Sequence, residues 1–400
     1  MALFTMIRNK LNTLFLAGIL FLGFSRCSIK WTEAIQSGSV SQHGIKETVN
    51  IEIQKSLIIL PVTINGTRYR FLFDTGAPFS ISNKIQKENN FKIISKGKIV
   101  DSDKNKKKVN WSQIDSVFIS DVLFLNQTAF VGDFEANPIM KCLEIDGIIG
   151  SNLIRNCNWM IDQENKTLSI FSSIDEKANE NCIVIPFNTD YQYNIFIDIN
   201  FGQAKVNNIL VDYGSNGSIA LSNEIFTILT NRSIINGEFL EKGITQSGII
   251  GETVELERKL TFSDSVRIND LELKNVLVKT GETVAIGNHL LSRFQVTIDW
   301  DNKNLYLTKP KKDANRIGLP GFRLGFSSEK GIYVQSVIEE SNAYKIGIRS
   351  NMKVIKIDSL DFENGNDFCD YVEYDLKDEI FIQLTDSKGE KQDYYFKKTY

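Results

Sequence analysis

Short apolar runs alternate along this chain with clusters of Asn, Gly, Asp and Lys, and apolar residues at helical spacing are scarce. Ile51 to Ile53, Leu57 to Ile64, Tyr69 to Phe73, Val117 to Ile119, Thr128 to Val131 and Thr167 to Phe171 are rich in strand formers and bounded by turn residues. Asn65-Gly66 between two of these runs is a strong hairpin signal, since both residues accept the positive φ of a tight two-residue turn. The pattern predicts a mainly β protein.

The pattern also repeats. Phe71-Leu72-Phe73-Asp74-Thr75-Gly76 drives an apolar strand into an acidic turn, and Ile209-Leu210-Val211-Asp212-Tyr213-Gly214 does the same, with Ser80 and Ser218 equally far beyond the two acids. Ile81-Ser82-Asn83-Lys84-Ile85 answers Leu221-Ser222-Asn223-Glu224-Ile225, and Ile149-Gly150-Ser151-Asn152 answers Ile286-Gly287-Asn288-His289. Asp162 before Leu168-Ser169-Ile170 answers Asp299 before Leu305-Tyr306-Leu307. Two diverged copies of one unit, each delivering one carboxylate on a turn, describe this better than chance motifs.

These residues resemble the aspartic protease superfamily in its retropepsin-like form, with two lobes joined in one chain. Each lobe there gives an apolar-apolar-Asp-Thr/Ser-Gly turn and a later apolar-apolar-Gly segment packed behind it. The resemblance implies two pepsin/retropepsin-like β-barrel lobes, over residues 47–172 and 173–309, with Asp74 and Asp212 as the catalytic dyad. Thr75, Gly76, Gly214 and Ser215 would support it, with Thr75 bonding across to the opposite backbone. Tyr213 departs from the pattern, because a phenol cannot make the bond of a short hydroxyl. The family's flap hairpins would fall at Lys96 to Ile114 and Gly243 to Leu256, with Trp111 facing either the cleft or the core. Lys104, Lys106, Lys107 and Lys108 mark the first hairpin's tip, read as solvated. Two like charges in one desolvated site hold a proton between them, so one acid and one base coexist and activate water without metal, cofactor or covalent adduct. The expected activity is therefore aspartic endopeptidase on protein or peptide substrates, in a monomer that already contains both halves. A peptide-binding or scaffolding protein with a decayed cleft is the other reading.

Beyond the polar stretch Pro310 to Asn315, residues 316–400 resemble a PDZ domain. Arg323-Leu324-Gly325-Phe326 matches its carboxylate-binding loop, Gly331 to Val334 the next strand, Ser341 to Ile348 the short helix, and Met352 to Asp358 the following strand. The resemblance implies a small α/β-barrel whose Leu324, Gly325 and Phe326 hold a C-terminal peptide by strand addition. Arg323 stands where the loop has glycine, which leaves a domain that only packs on the protease as the alternative.

The first thirty residues read as an export signal, with Arg8 and Lys10 before the apolar run Leu11 to Phe24 and a small-x-small site at Gly23-Phe24-Ser25. A signal peptide over 1–26 implies periplasm, outer-membrane-associated envelope or secretion. Cys27 would be a lipid anchor if modified, although Arg26 departs from the lipoprotein pattern. A net charge of -3 offers no general attraction to nucleic acid. With two His and five Cys, none in CxxC or HExxH spacing, no zinc site is expected. Cys142, Cys157, Cys182 and Cys369 are expected to be isolated buried thiols, with a Cys142–Cys157 bridge as the alternative.

Overall fold

The computed structural model describes residues 29–174, 182–308, 317–386 and 389–399. The expected signal peptide over 1–26 and Cys27 lie outside the described residues, as does the Pro310 to Asn315 stretch. The protein is mainly β.

The Asn65-Gly66 turn forms as expected, with φ of 49° and 81°, and joins Leu57–Ile64 to Thr67–Phe73 as an antiparallel hairpin. Gly147–Ile149 then lies parallel to Phe71–Phe73 on one side and antiparallel to Ser80–Ile81 on the other. The second half repeats this: Ala285–Gly287 lies parallel to Leu210–Asp212 and antiparallel to Ile219–Ala220. Ser80–Ser82 runs parallel to Phe130–Gly132, and Ile219–Leu221 parallel to Val278–Thr280. Each half also raises one long hairpin, Ile93–Val100 with Lys106–Ile119 and Phe239–Thr245 with Val254–Ser263. A strand threaded between the two strands that flank an acidic turn is what fixes each turn in place.

The halves meet in a six-stranded sheet to which each gives three strands. At its centre Trp159 pairs Ile298, Met160 pairs Thr297 and Ile161 pairs Val296, antiparallel. The two inner hairpins close on the same device. Asp162 accepts bonds from the Asn165 amide at 2.9 Å and side chain at 2.8 Å, and Asp299 takes both from Asn302 at 2.9 Å. One apolar core runs through both halves, around the buried Trp159, Phe73, Phe124 and Tyr213.

The C-terminal unit holds Phe322–Ser327, Gly331–Ile338, Lys353–Ile357, Glu379–Thr385 and Lys391–Lys397 as its main strands, with short helices Asn342–Lys345 and Phe368–Glu373. The Arg323 to Phe326 stretch is strand, not the loop expected. It pairs Gly331–Ile338 with a register shift between Arg323 and Leu324. Ser336, Val337 and Ile338 also pair Gly243, Lys242 and Glu241, which stitches the unit to the second half's hairpin. Its apolar side, including Leu324 and Val334, shares a core with Leu57, Ile59, Leu72 and Ile148 of the first half.

Two of the cysteines differ from expectation. Cys142 and Cys369 form a disulfide between helix Pro138–Cys142 and helix Phe368–Glu373, across 227 residues. Such a pairing carries no local spacing signal. Cys157 is a buried thiol, pushed up to about 12 by burial and thereby inert. Among the described residues no helix is long and apolar enough to cross a membrane.

Closing so long a loop stabilises the fold by roughly 3–5 kcal/mol in the chain-entropy account. Cys369→Ser is therefore expected to lower the denaturant midpoint markedly, and reductant to lower the parent's to match. Equal midpoints for parent and variant under oxidising conditions would show the bridge idle.

Candidate active site

Asp74 sits at the end of Thr67–Phe73, its amide held by the Ile149 carbonyl at 3.0 Å. Its Oδ1 accepts the Gly76 amide at 2.7 Å, and Asp212 Oδ1 accepts the Gly214 amide at 2.9 Å. Each glycine also faces the other half's acid. A Cβ on Gly76 would stand 3.0 Å from the Asp212 carboxyl, and one on Gly214 would collide with that of Asp74. Glycine at both positions is what lets the turns approach until the two carboxyls face each other.

Burial, and then the charge of Asp74, hold Asp212 well above the usual carboxylate range. Burial likewise raises Asp74, against the pull of the Gly76 amide. Two such groups titrate as one pair. The two carboxyls hold one proton between them above the usual carboxylate range.

Thr75, fully buried, crosses the seam. Its hydroxyl donates to the Val211 carbonyl at 2.5 Å and accepts the Tyr213 amide at 3.2 Å. Tyr213 returns no such pair of bonds. Its ring turns into the core against Phe73, centroids 5.5 Å apart, and its buried hydroxyl has no hydrogen-bond partner among the described residues. The brace between the halves is therefore one-sided. Ser215 reaches Asp212 through its amide, while its hydroxyl accepts the Gly217 amide at 3.2 Å.

Two buried asparagines behind the turns were not anticipated as site residues. Asn152 accepts the Phe79 amide at 2.6 Å and donates to the Thr128 carbonyl at 3.0 Å; Asn288 donates to the Tyr213 carbonyl at 2.6 Å. They follow Gly150 and Gly287 by two and one residues, so alignment of the repeats hides the match. Any Cβ on these glycines would run into the backbone at Pro78 and Gly217.

The tips of the two long hairpins meet. Asp103 accepts the Ser247 and Gly248 amides at 2.7 and 2.8 Å, and Asp101 that of Ile250 at 3.2 Å. Asn137, also unanticipated, holds the Gln246 and Gly248 carbonyls at 3.0 Å each. Lys106, Lys107 and Lys108 are exposed on the strand beyond the first tip. Trp111 belongs to the core, stacked on Trp31 at 5.1 Å. In the C-terminal unit Leu324 and Gly325 are buried, and Phe326 is partly exposed and stacks on Phe368 at 5.9 Å. No group of three His, Cys, Asp or Glu among the described residues is arranged to hold a metal ion.

Residues 60–153, which carry Asp74-Thr75-Gly76 and the Gly150 segment, match the family model of aspartyl protease. No curated protein matches the chain. The match points to an aspartic protease domain, and its span ends before Asp212.

Carboxyls raised by folding bind more protons folded than unfolded. The stability they contribute is fully present below their unfolded values, about pH 4, and is lost as pH rises through the raised ones, at about 1.4 kcal/mol per pKa unit. Asp212→Asn should therefore melt above the parent at pH 7, with the gap closing near pH 3; an equal gap at both pH values would contradict the coupling. Thr75→Val strands the buried Tyr213 amide and should lower unfolding free energy by about 1–3 kcal/mol in denaturant titration.

Proposed function

We propose that this chain is an aspartic endopeptidase in which the Asp74–Asp212 pair activates a water molecule. The observation that carries the proposal is the facing of two desolvated carboxyls, each seated against the opposite half's glycine. Ionised Asp74 takes a proton from the water as its oxygen attacks the scissile carbonyl carbon, and Asp212 gives its proton to the carbonyl oxygen. The resulting tetrahedral diol returns that proton to Asp212 while Asp74 protonates the departing amide nitrogen. The C–N bond breaks, and the pair regains its starting state.

In this reading residues 47–172 and 173–309 are two retropepsin-like lobes, their hairpins the flaps over the cleft. The repeated strand pairings and the contact of the two tips support it. Residues 316–400 form a PDZ-like unit that recognises a peptide by strand addition to Phe322–Ser327. The enzyme acts as a monomer on exported proteins, in the periplasm, on the outer-membrane-associated envelope through a lipidated Cys27, or as a secreted protein. The Cys142–Cys369 bridge supports an oxidising compartment.

One observation favours the other reading, a peptide-binding scaffold with a silent cleft: Tyr213 leaves the brace across the seam incomplete. Incubation of the mature chain with an unfolded protein mixture from about pH 3 to pH 8 separates the two. The protease reading expects cleavage in the parent, on a bell-shaped pH profile whose alkaline limb lies above the usual carboxylate range, and none in Asp74→Asn or Asp212→Asn. A folded parent that cleaves at no pH would leave the scaffold.

A further inference from the structure

The strand registers match the inner faces of the two long hairpins residue by residue. In the first half Gly97 pairs Val109, Trp111 pairs Phe130, and Phe130 lies beside Ser80. In the second half Glu241 pairs Arg258, Leu260 pairs Lys279, and Lys279 lies beside Ala220. Lys279, Arg258 and Glu241 thus hold the places of Phe130, Val109 and Gly97.

The first face is apolar and covered by the chain itself. Val109, Trp111 and Phe130 cluster with Ile35, and the Trp31 ring stacks on Trp111 where Gly97 leaves room for it. The second face is charged. Buried Glu241 is satisfied by the Ser336 hydroxyl at 2.6 Å, Arg323 Nε at 3.1 Å and Arg258 Nη1 at 3.6 Å. That leaves three cations against one carboxylate.

Two of those cations have bonding capacity to spare. Arg258 is 9% exposed and its Nη1 makes no hydrogen bond among the described residues. Lys279 has no hydrogen bond or ion pair among the described residues, and its ammonium lies 3.2 Å from where a Cβ of Gly217 would stand, in the loop that follows Asp212. The nearby acids are engaged elsewhere, Asp103 by the Ser247 and Gly248 amides and Asp212 by its shared proton. Burial and the two arginines pull the Lys279 amine well below its usual range, and burial brings Arg258 down to about 10. An anion bound here would reverse both shifts.

We propose that Lys279 and Arg258 line a substrate subsite for a carboxylate side chain, so that the protein selects peptides with Asp or Glu at one fixed position near the scissile bond. This rests on the protease reading of the Asp74–Asp212 cleft. The subsite's counterpart in the first half is filled by Trp31, which makes the two sides of the cleft chemically unlike.

The test is the cleavage-site profile of a proteome-derived peptide library at about pH 5.5, where substrate carboxylates are ionised. The parent, Lys279→Gln and Lys279→Arg are compared by the ratio of Glu to isosteric Gln at each position within one digest, which does not depend on overall rate. Binding of matched Glu- and Gln-containing peptide pools to the Asp74→Asn/Asp212→Asn variant is measured alongside. The expected result is about tenfold enrichment of acidic residues at one position, abolished by Lys279→Gln and retained by Lys279→Arg. Cleavage by the parent without acidic enrichment overturns the subsite and leaves the protease reading standing. If nothing is cleaved but Glu pools still bind better than Gln pools through Lys279, the subsite stands and the hydrolase reading falls. No cleavage and no discrimination in binding overturns both.

Discussion

Two carboxyl groups share one desolvated space, and most of the fold is explained by what keeps them there. Left alone they would move apart or draw in water, because a buried charge beside another of the same sign is unfavourable on both counts. Three features oppose that. Gly76 and Gly214 remove the side chains that would separate the turns. Gly147–Ile149 and Ala285–Gly287 clamp each turn from behind. The pairing of Asn158–Asp162 with Val296–Asp299 fuses the two halves beneath them.

The duplicated plan is no longer symmetric in its chemistry. Thr75 braces the seam while Tyr213 trades the same duty for packing against Phe73, gaining apolar contact and leaving a buried hydroxyl unpaired. The first hairpin's inner face is sealed by Trp31; the second carries Lys279, Arg258 and Glu241 and is backed by a strand of the C-terminal unit. The excess positive charge lies on the second half's side of the cleft.

Much of this was legible in the residues. Alternating apolar runs gave the strands, Asn65-Gly66 its hairpin, and the twin acidic turns with their Gly150 and Gly287 segments the two carboxyls that face each other. Other features were hidden for physical reasons. Ser80 and Ser218 look equivalent by spacing, yet the strand that flanks Gly147–Ile149 at Ser80 is matched at Ala220, because the second loop is two residues longer. Asn152 and Asn288 do one kind of work from adjacent rather than equivalent positions. The Cys142–Cys369 bridge and the Asp103 contact with Ser247 and Gly248 join residues far apart in the chain, where no periodicity reports on contact. Arg323 to Phe326 was expected as a loop from its resemblance to the PDZ carboxylate-binding loop, and pairing with Gly331–Ile338 makes it a strand.

The central claim is that Asp74 and Asp212 titrate as one proton-sharing pair, and carboxyl-carbon NMR of the protein labelled at aspartate measures this directly. The account predicts two linked steps at these residues, the upper one well above the usual carboxylate range, with Asp74 shifting when Asp212 is replaced by Asn. Two independent titrations near the ordinary aspartate value would contradict it.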